Sequence, residues 1–270
     1  MAFNLKSITQ DVVIRAPRII LLGVEKIGKT CFGCGTQFDE DGTISQTGIN
    51  SPIVIPVRGE EGADALGVPM FPTCKSLGDL FEAIGSLCDD HEYRTVVLDS
   101  ASAMEPLIHD AVCDEGNADS IEKVGGGYGK GYTEAVAKWR QLTNGLDVLR
   151  EHGMASIIIG HVKVKRFDDP TGDSYDQYQF DIHDKAANLL FRWADLILFC
   201  NTKVAVKKED VGFDKTKKRG IDTSGGKRYL FTQKRPAHPG GGRGLYGQLP
   251  YELPLDWAAF EAAVGTIAQG

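Results

Sequence analysis

Apolar residues follow two alternating patterns along the chain. Short continuous runs, Arg18-Ile-Ile-Leu-Leu-Gly23, Pro52-Ile-Val-Ile-Pro-Val57, Arg94-Thr-Val-Val-Leu-Asp99, Ala155-Ser-Ile-Ile-Ile-Gly160 and Asp195-Leu-Ile-Leu-Phe-Cys200, have the length and branching of strands buried on both faces. Between them, Ser76–Leu87 places apolar residues at 77, 80, 81, 84 and 87, the spacing of one helical face. Met104–Cys113, Thr133–His152 and Lys185–Trp193 read as further helices. Strands alternating with helices predict an α/β fold with a largely parallel central sheet flanked by helices.

Three segments break this rhythm. Gly125-Gly-Gly-Tyr-Gly-Lys-Gly-Tyr132 holds too much glycine for regular structure and reads as a mobile loop. Val162 to about Asp184 has little periodicity and reads as a polar loop. Val204-x-Val206 and Arg228-Tyr-Leu-Phe-Thr232 are β-prone and predict a C-terminal antiparallel hairpin, a basic arm over about 202–235. A final helix is expected from Leu255 or Asp256. The reading is an N-terminal extension, 1–17, followed by one domain, 18–270.

Composition narrows the class. With 42% hydrophobic and 25% charged residues, 270 residues suffice for one sizeable core. Met1–Asp11 lacks the apolar core of a signal peptide, and runs such as Ala155–Ile159 are too short to cross a bilayer, so a cytoplasmic protein with no membrane partner is expected. Of the six cysteines only Cys31 and Cys34 form a close pair, which without a second pair reads as buried thiols rather than a metal site. The formal charge of −7 is uneven. Between Thr202 and Arg243 twelve Lys and Arg face four acids, leaving −15 on the remainder. This basic segment is either a solvated arm or a surface for a polyanion.

The candidate chemistry begins at Gly23-Val24-Glu25-Lys26-Ile27-Gly28-Lys29-Thr30, which matches the P-loop pattern between a predicted strand and a predicted helix. Such a loop points backbone N–H groups and a helix N-terminus at phosphates; Lys29 would reach the β- and γ-phosphates and Thr30 would hold Mg²⁺, with Cys31 continuing the binding segment. Asp99, ending an apolar strand, is the matching metal-side carboxylate. Hydrolysis also requires a carboxylate to activate water, and Glu60 and Glu61 follow the intervening strand; Glu61 is the favoured candidate. His161 ends the Ile157-Ile-Ile-Gly-His run, where it can sense the γ-phosphate. Tyr128, Lys130 and Tyr132, with Lys163, Lys165 and Arg166, mix cations and aromatics as single-strand binding surfaces do.

Together Gly23–Thr30, Val96-Val-Leu-Asp-Ser-Ala-Ser-Ala103 and Ile157-Ile-Ile-Gly-His-Val-Lys-Val-Lys165 resemble the RecA/RadA recombinase core. Glu61-Gly62, Tyr93–Val97, Ala194-Asp195 and Leu249-Pro250 make the chain similar to the phage-encoded minimal RecA-like ATPases that anneal single strands. The resemblance implies a DNA-stimulated, Mg²⁺-dependent ATPase that binds single-stranded DNA and forms a homo-oligomer in a phage-infected host, with a phage or host single-strand-binding protein as a further partner. By the same analogy a neighbouring subunit would complete the ATP site with a cation corresponding to Lys234, Arg235 or Arg243. Two rival readings stand beside it. One is a P-loop scaffold without a DNA role; the other is a small-molecule kinase, whose arginine-rich lid has only Lys130 as a counterpart.

Overall fold

A computed structural model describes residues 15–39, 41–48, 51–210 and 216–269, with strand pairing alone described between 204 and 222. The first half runs β1 (Arg18–Gly23), α1 (Lys29–Gly33), β2 (Thr36–Phe38), β3 (Ile44–Gln46), β4 (Pro52–Pro56), α2 (Leu77–Ser86), β5 (Thr95–Asp99), α3 (Ala101–Glu115) and α4 (Lys130–Glu151). The second half runs β6 (Ala155–Gly160), β7 (Val162–Phe167), β8 (Tyr175–Phe180), α5 (Asp184–Trp193), β9 (Leu196–Asn201), β10 (Val204–Asp210), β11 (Thr216–Asp222), β12 (Tyr229–Phe231), β13 (Gly241–Gly242), β14 (Glu252–Pro254) and α6 (Trp257–Gln269).

The five apolar runs form the parallel heart of an eight-stranded sheet, ordered β14-β12-β9-β1-β6-β5-β4, with β13 also beside β9. Pairing is parallel from β9 through β4, while β12, β13 and β14 join antiparallel. Helices cover both faces, which completes the predicted α/β architecture. Each strand feeds both layers because successive side chains point to opposite faces. Ile20 and Leu22 enter the core under α2, α3, α4 and α5, whereas Ile19 and Leu21 join Phe32, Trp257 and Phe260 on the other face. α2 starts at a capping box: Ser76 Oγ accepts from Asp79 N, and Asp79 accepts from Ser76 N. No helix among the described residues is long and apolar enough to cross a membrane.

The three irregular segments differ from their sequence reading. The glycine segment is ordered enough to start a helix: a 3₁₀ turn at Val124–Gly126 leads into α4, which begins at Lys130 instead of near Thr133. Five consecutive positive-φ residues, Gly125 to Gly129, use the freedom that glycine supplies, with Tyr128 the non-glycine exception. Val162–Asp184 contains a paired β7–β8 hairpin, registered from Val162 opposite Phe180 to Phe167 opposite Tyr175. Two-sided polarity hides such a strand, because alternation marks only those with one buried face.

The C-terminal hairpin has different partners from those predicted. β10 pairs with β11, from Val204 opposite Asp222 to Asp210 opposite Thr216. The 228–232 segment instead supplies β12 to the main sheet, between β9 and β14. Its partner was chosen from proximity in sequence, but Leu230 and Phe231 bury their side chains only in the central sheet. The tip of the arm, 211–215, and the N-terminal extension before residue 15 lie outside the described residues.

Candidate nucleotide-binding site

A parallel sheet gathers the C-terminal ends of its strands along one rim, and the P-loop, Glu60, Asp99 and His161 all lie at or just beyond such an end. β6 sits between β1 and β5, with Gly160 opposite Leu22 and Ile158 opposite Leu98. His161 therefore emerges between the loop that carries Lys29 and the strand end that carries Asp99. The loop after β4 approaches from the far side, where Val57 N donates to Asp99 O at 2.9 Å.

The P-loop turns through Lys26 at φ 56° and Gly28 at φ 104°. Gly28 fits that left-handed conformation without strain. Lys29 is only 5% exposed, and its Nζ donates to Gly23 O at 3.1 Å and Val24 O at 2.9 Å, carbonyls of its own loop. Burial pushes this ammonium below its ordinary pKa, while nearby groups including Asp99 and Glu60 pull the other way. The following helix α1 is short, five residues, so backbone N–H groups of the loop, rather than a long helix dipole, are the candidate phosphate donors.

Asp99 is 4% exposed and accepts from Thr30 Oγ1 at 2.7 Å. Burial raises its pKa; the Thr30 hydrogen bond opposes that shift. Gly62 closes this corner, since a side chain there would start 3.1 Å from Thr30 Oγ1. One hydroxyl and one carboxylate suit Mg²⁺, which takes few protein ligands and fills its shell with water and substrate phosphate. The described residues contain no group of three or more His, Cys, Asp or Glu able to hold a metal unaided. A nucleotide-borne Mg²⁺ held by Thr30 and Asp99 fits that donor set.

Of the two adjacent glutamates, it is Glu60 that turns into the rim. Its Oε1 accepts from Ser100 Oγ at 2.6 Å and His161 Nε2 at 2.8 Å. The His161 hydrogen bond holds this carboxyl below its usual range, against the upward push of burial. A carboxylate can only accept, so Nε2 carries the proton in this pairing. His161 N donates to Ser102 Oγ at 3.2 Å, and Nδ1 is buried without a partner among the described residues. Glu61, favoured by the sequence reading, is exposed. The strand end was legible, but which of two neighbours faces inward depends on the Val57–Glu60 turn.

The proposed nucleic-acid residues do not form one free cationic patch. Tyr128 is fully exposed, but Tyr132 stacks on His183 at 4.1 Å and 11°. Lys130 donates to Gly125 O within its own turn. Lys163, Lys165 and Arg166 each meet a carboxylate: Asp181 at 3.2 Å, Asp184 at 3.3 Å and Asp168 at 3.9 Å. Of the three cations suggested for a neighbour's site, Arg235 lies over the Tyr251 ring at 4.2 Å. Arg243 binds Arg192 O and approaches Asp195, next to the start of β9 and so at the opposite rim from the P-loop. Lys234 is exposed. The cysteine pair forms no disulfide; Cys34 is buried, its thiol pushed up to about 12 by burial, and Cys31 is half-buried.

Sequence reasoning missed two groups at the rim. Ser100, inside the Asp-Ser step, braces Glu60. Arg228, immediately before β12, donates through Nη1 to Ile27 O at 3.2 Å. Its only sequence signal was a place in a lysine-rich stretch.

A strand and glycine loop presenting Lys29 and Thr30, with Asp99 two strands away and a braced glutamate between β4 and α2, define a P-loop nucleoside-triphosphatase domain. A family model described as an AAA domain matches residues 15–244, and the chain belongs to that family. It is thus a P-loop ATPase-type domain. A search of curated proteins finds no match to the chain.

Proposed function

We propose that this AAA-domain protein is a Mg²⁺-dependent, RecA-like ATPase whose turnover is coupled to single-stranded DNA in recombination or strand annealing, with Glu60 rather than Glu61 as the water-activating carboxylate. The observation that carries the catalytic part is the bracing of Glu60 by Ser100 and His161 beside the Thr30–Asp99 pair. Lys29 and the loop N–H groups would hold the β- and γ-phosphates, and Thr30 and Asp99 would hold Mg²⁺, which would supply positive charge against that developing on the phosphates. Glu60 accepts the proton of a water whose oxygen attacks the γ-phosphorus, and ADP leaves with the bond to its β-phosphate oxygen broken. His161 lowers the basicity of Glu60 while bonded to it. Release of that bond toward the γ-phosphate restores the base, which ties hydrolysis to triphosphate binding.

His161 also supports the DNA part. One residue beyond it the chain enters the β7–β8 hairpin with Lys163, Lys165 and Arg166, so a shift of His161 is transmitted to that hairpin, and exposed Tyr128 offers a stacking face. Partner carboxylates must yield these cations to phosphate, so affinity should be modest and salt-sensitive. A homo-oligomer belongs to the same reading, with Lys234 as the cation for a neighbour's site, since among the described residues it pairs with no carboxylate or ring.

ATP turnover measured with and without single-stranded DNA, across salt, tests both parts. Glu60→Gln should slow turnover by roughly 10²-fold or more while retaining ATP binding, and Glu61→Gln should stay within about twofold of wild type. The reverse ranking removes Glu60 from the role. Turnover indifferent to DNA, with no salt-dependent DNA binding, removes the recombination reading and leaves the scaffold.

A further inference from the structure

The P-loop is flanked unequally. Sheet order places Glu60 and Asp99 on one side of β1, beyond β6, and places β9 and β12 on the other. Arg228 comes from that second side. Tyr229, next to it, pairs with Asn201 at the C-terminal end of β9, and Arg228 O accepts from Leu255 N at 3.1 Å, so the backbone that launches the side chain is held on both sides.

The guanidinium lies against the loop itself. Besides its bond to Ile27 O, Nη1 would stand 2.6 Å from a Cβ on Gly28, so only the missing side chain of Gly28 allows the approach. Among the described residues no carboxylate lies within ion-pair distance of Arg228, whereas Arg18, Arg150, Lys203 and Arg243 all have one. Among the described residues one of its five N–H donors is used, on Ile27, and four remain. Its charge also reaches the first turn past the loop, pulling the Cys31 thiol down against the stronger upward effect of burial. An exposed, carboxylate-free guanidinium fixed against a phosphate loop is a cation without its anion.

We infer that Arg228 is a nucleotide-binding residue acting within its own chain: it contacts the phosphates common to nucleoside di- and triphosphates, from the side of the loop opposite Glu60. This rests on the reading of Gly23–Thr30 as the nucleotide site. The contact lies away from the water that Glu60 activates, so it secures both nucleotides alike and adds little to the chemical step. It also differs from a cation lent by a neighbouring subunit, since no second copy is required.

Binding of ADP and of a non-hydrolysable ATP analogue to the full chain in Mg²⁺ provides the test, using wild type, Arg228→Gln, Arg228→Lys and Lys29→Met. Arg228→Gln should weaken both nucleotides by the same factor, about tenfold for a charge-assisted contact, with the unliganded melting temperature unchanged. Arg228→Lys should recover part of the loss, because the charge stays and the planar fork does not. The KM for ATP in turnover should rise by a comparable factor. Arg228→Gln binding within twofold of wild type for both nucleotides overturns the inference, and so does a loss confined to the triphosphate, which would place the group on the γ-phosphate. Wild-type binding untouched by Lys29→Met would instead overturn the site reading beneath it, whatever Arg228 does.

Discussion

The two rims of the sheet each hold a charged cluster, and they differ in how completely the charges are matched. At the N-terminal rim Asp195 bonds Arg18 through Nη2 at 2.9 Å and Nε at 3.2 Å, bonds Arg150 Nη2 at 2.9 Å, and lies 4.0 Å from Arg243. Asp147 completes the group, accepting from Arg18 Nη1 at 3.1 Å and Trp193 Nε1 at 2.9 Å. At the C-terminal rim, among the described residues, Lys29 reaches only carbonyls of its own loop, Asp99 has one hydroxyl, and Arg228 has one carbonyl. Matched charges lock strands together. Charges left partly matched keep binding capacity for something that arrives later, at a cost to the empty fold.

Removing the centre of the matched cluster should have the largest effect on stability. Asp195→Ala leaves the Arg18 and Arg150 guanidiniums mostly buried without their shared carboxylate, a loss of about 3–5 kcal/mol. Urea unfolding should show it as a lower midpoint with the slope kept, and nucleotide affinity should be unchanged where the variant is folded. A loss below about 1 kcal/mol would rank this rim with ordinary surface ion pairs and erase the contrast.

Lys29→Met should reverse the pattern. The variant keeps volume and removes the ammonium, so nucleotide affinity should fall about a hundredfold, roughly 2.7 kcal/mol, while the unliganded protein melts no lower than wild type. Calorimetric titration and a melting curve on one sample decide it. If melting falls as affinity falls, Lys29 is holding the empty loop together and the C-terminal rim is structural as well.

What could be read from the chain follows the same division. The P-loop, the Asp99 strand end and the five parallel strands were legible because each depends on local sequence: a glycine spacing, or an apolar run ending in a polar residue. Glu60 against Glu61 was not, since a turn of one residue decides which carboxylate faces Ser100 and His161. Arg228 was hidden because its meaning comes from β12 entering the main sheet beside β9, a pairing between segments separated by the whole β10–β11 arm. The arm drew attention away from it, as its charge made 202–235 look like one unit. The β7–β8 hairpin was unreadable because most of its residues have no buried face to impose alternation. The DNA-binding roles proposed for Tyr128, Lys163, Lys165 and Arg166 depend on a partner, which neither local pattern nor fold supplies.

The smallest expected effect is also the most direct measure of the difference between the rims. Asp99 is buried with a pKa raised by that burial, so the folded protein holds its proton more tightly than the unfolded chain does. Between the ordinary carboxylate value of 3.8 and the raised folded value, the native state therefore binds more protons, and wild-type stability falls as pH rises through that window. Asp99→Asn cannot titrate and its amide still accepts from Thr30. Without metal or nucleotide it should melt above wild type by about 2–4 °C at neutral pH, the shift of about 1 kcal/mol in a chain of this size. The gap should close on acidification below the ordinary carboxylate value, where both states of the wild type are protonated. Added Mg²⁺ and ADP should reverse the order, because ligand binding stabilises only the protein that holds it well. A gap independent of pH would assign the stabilisation to packing, and a variant less stable at every pH would show that Asp99 is as well matched as Asp195.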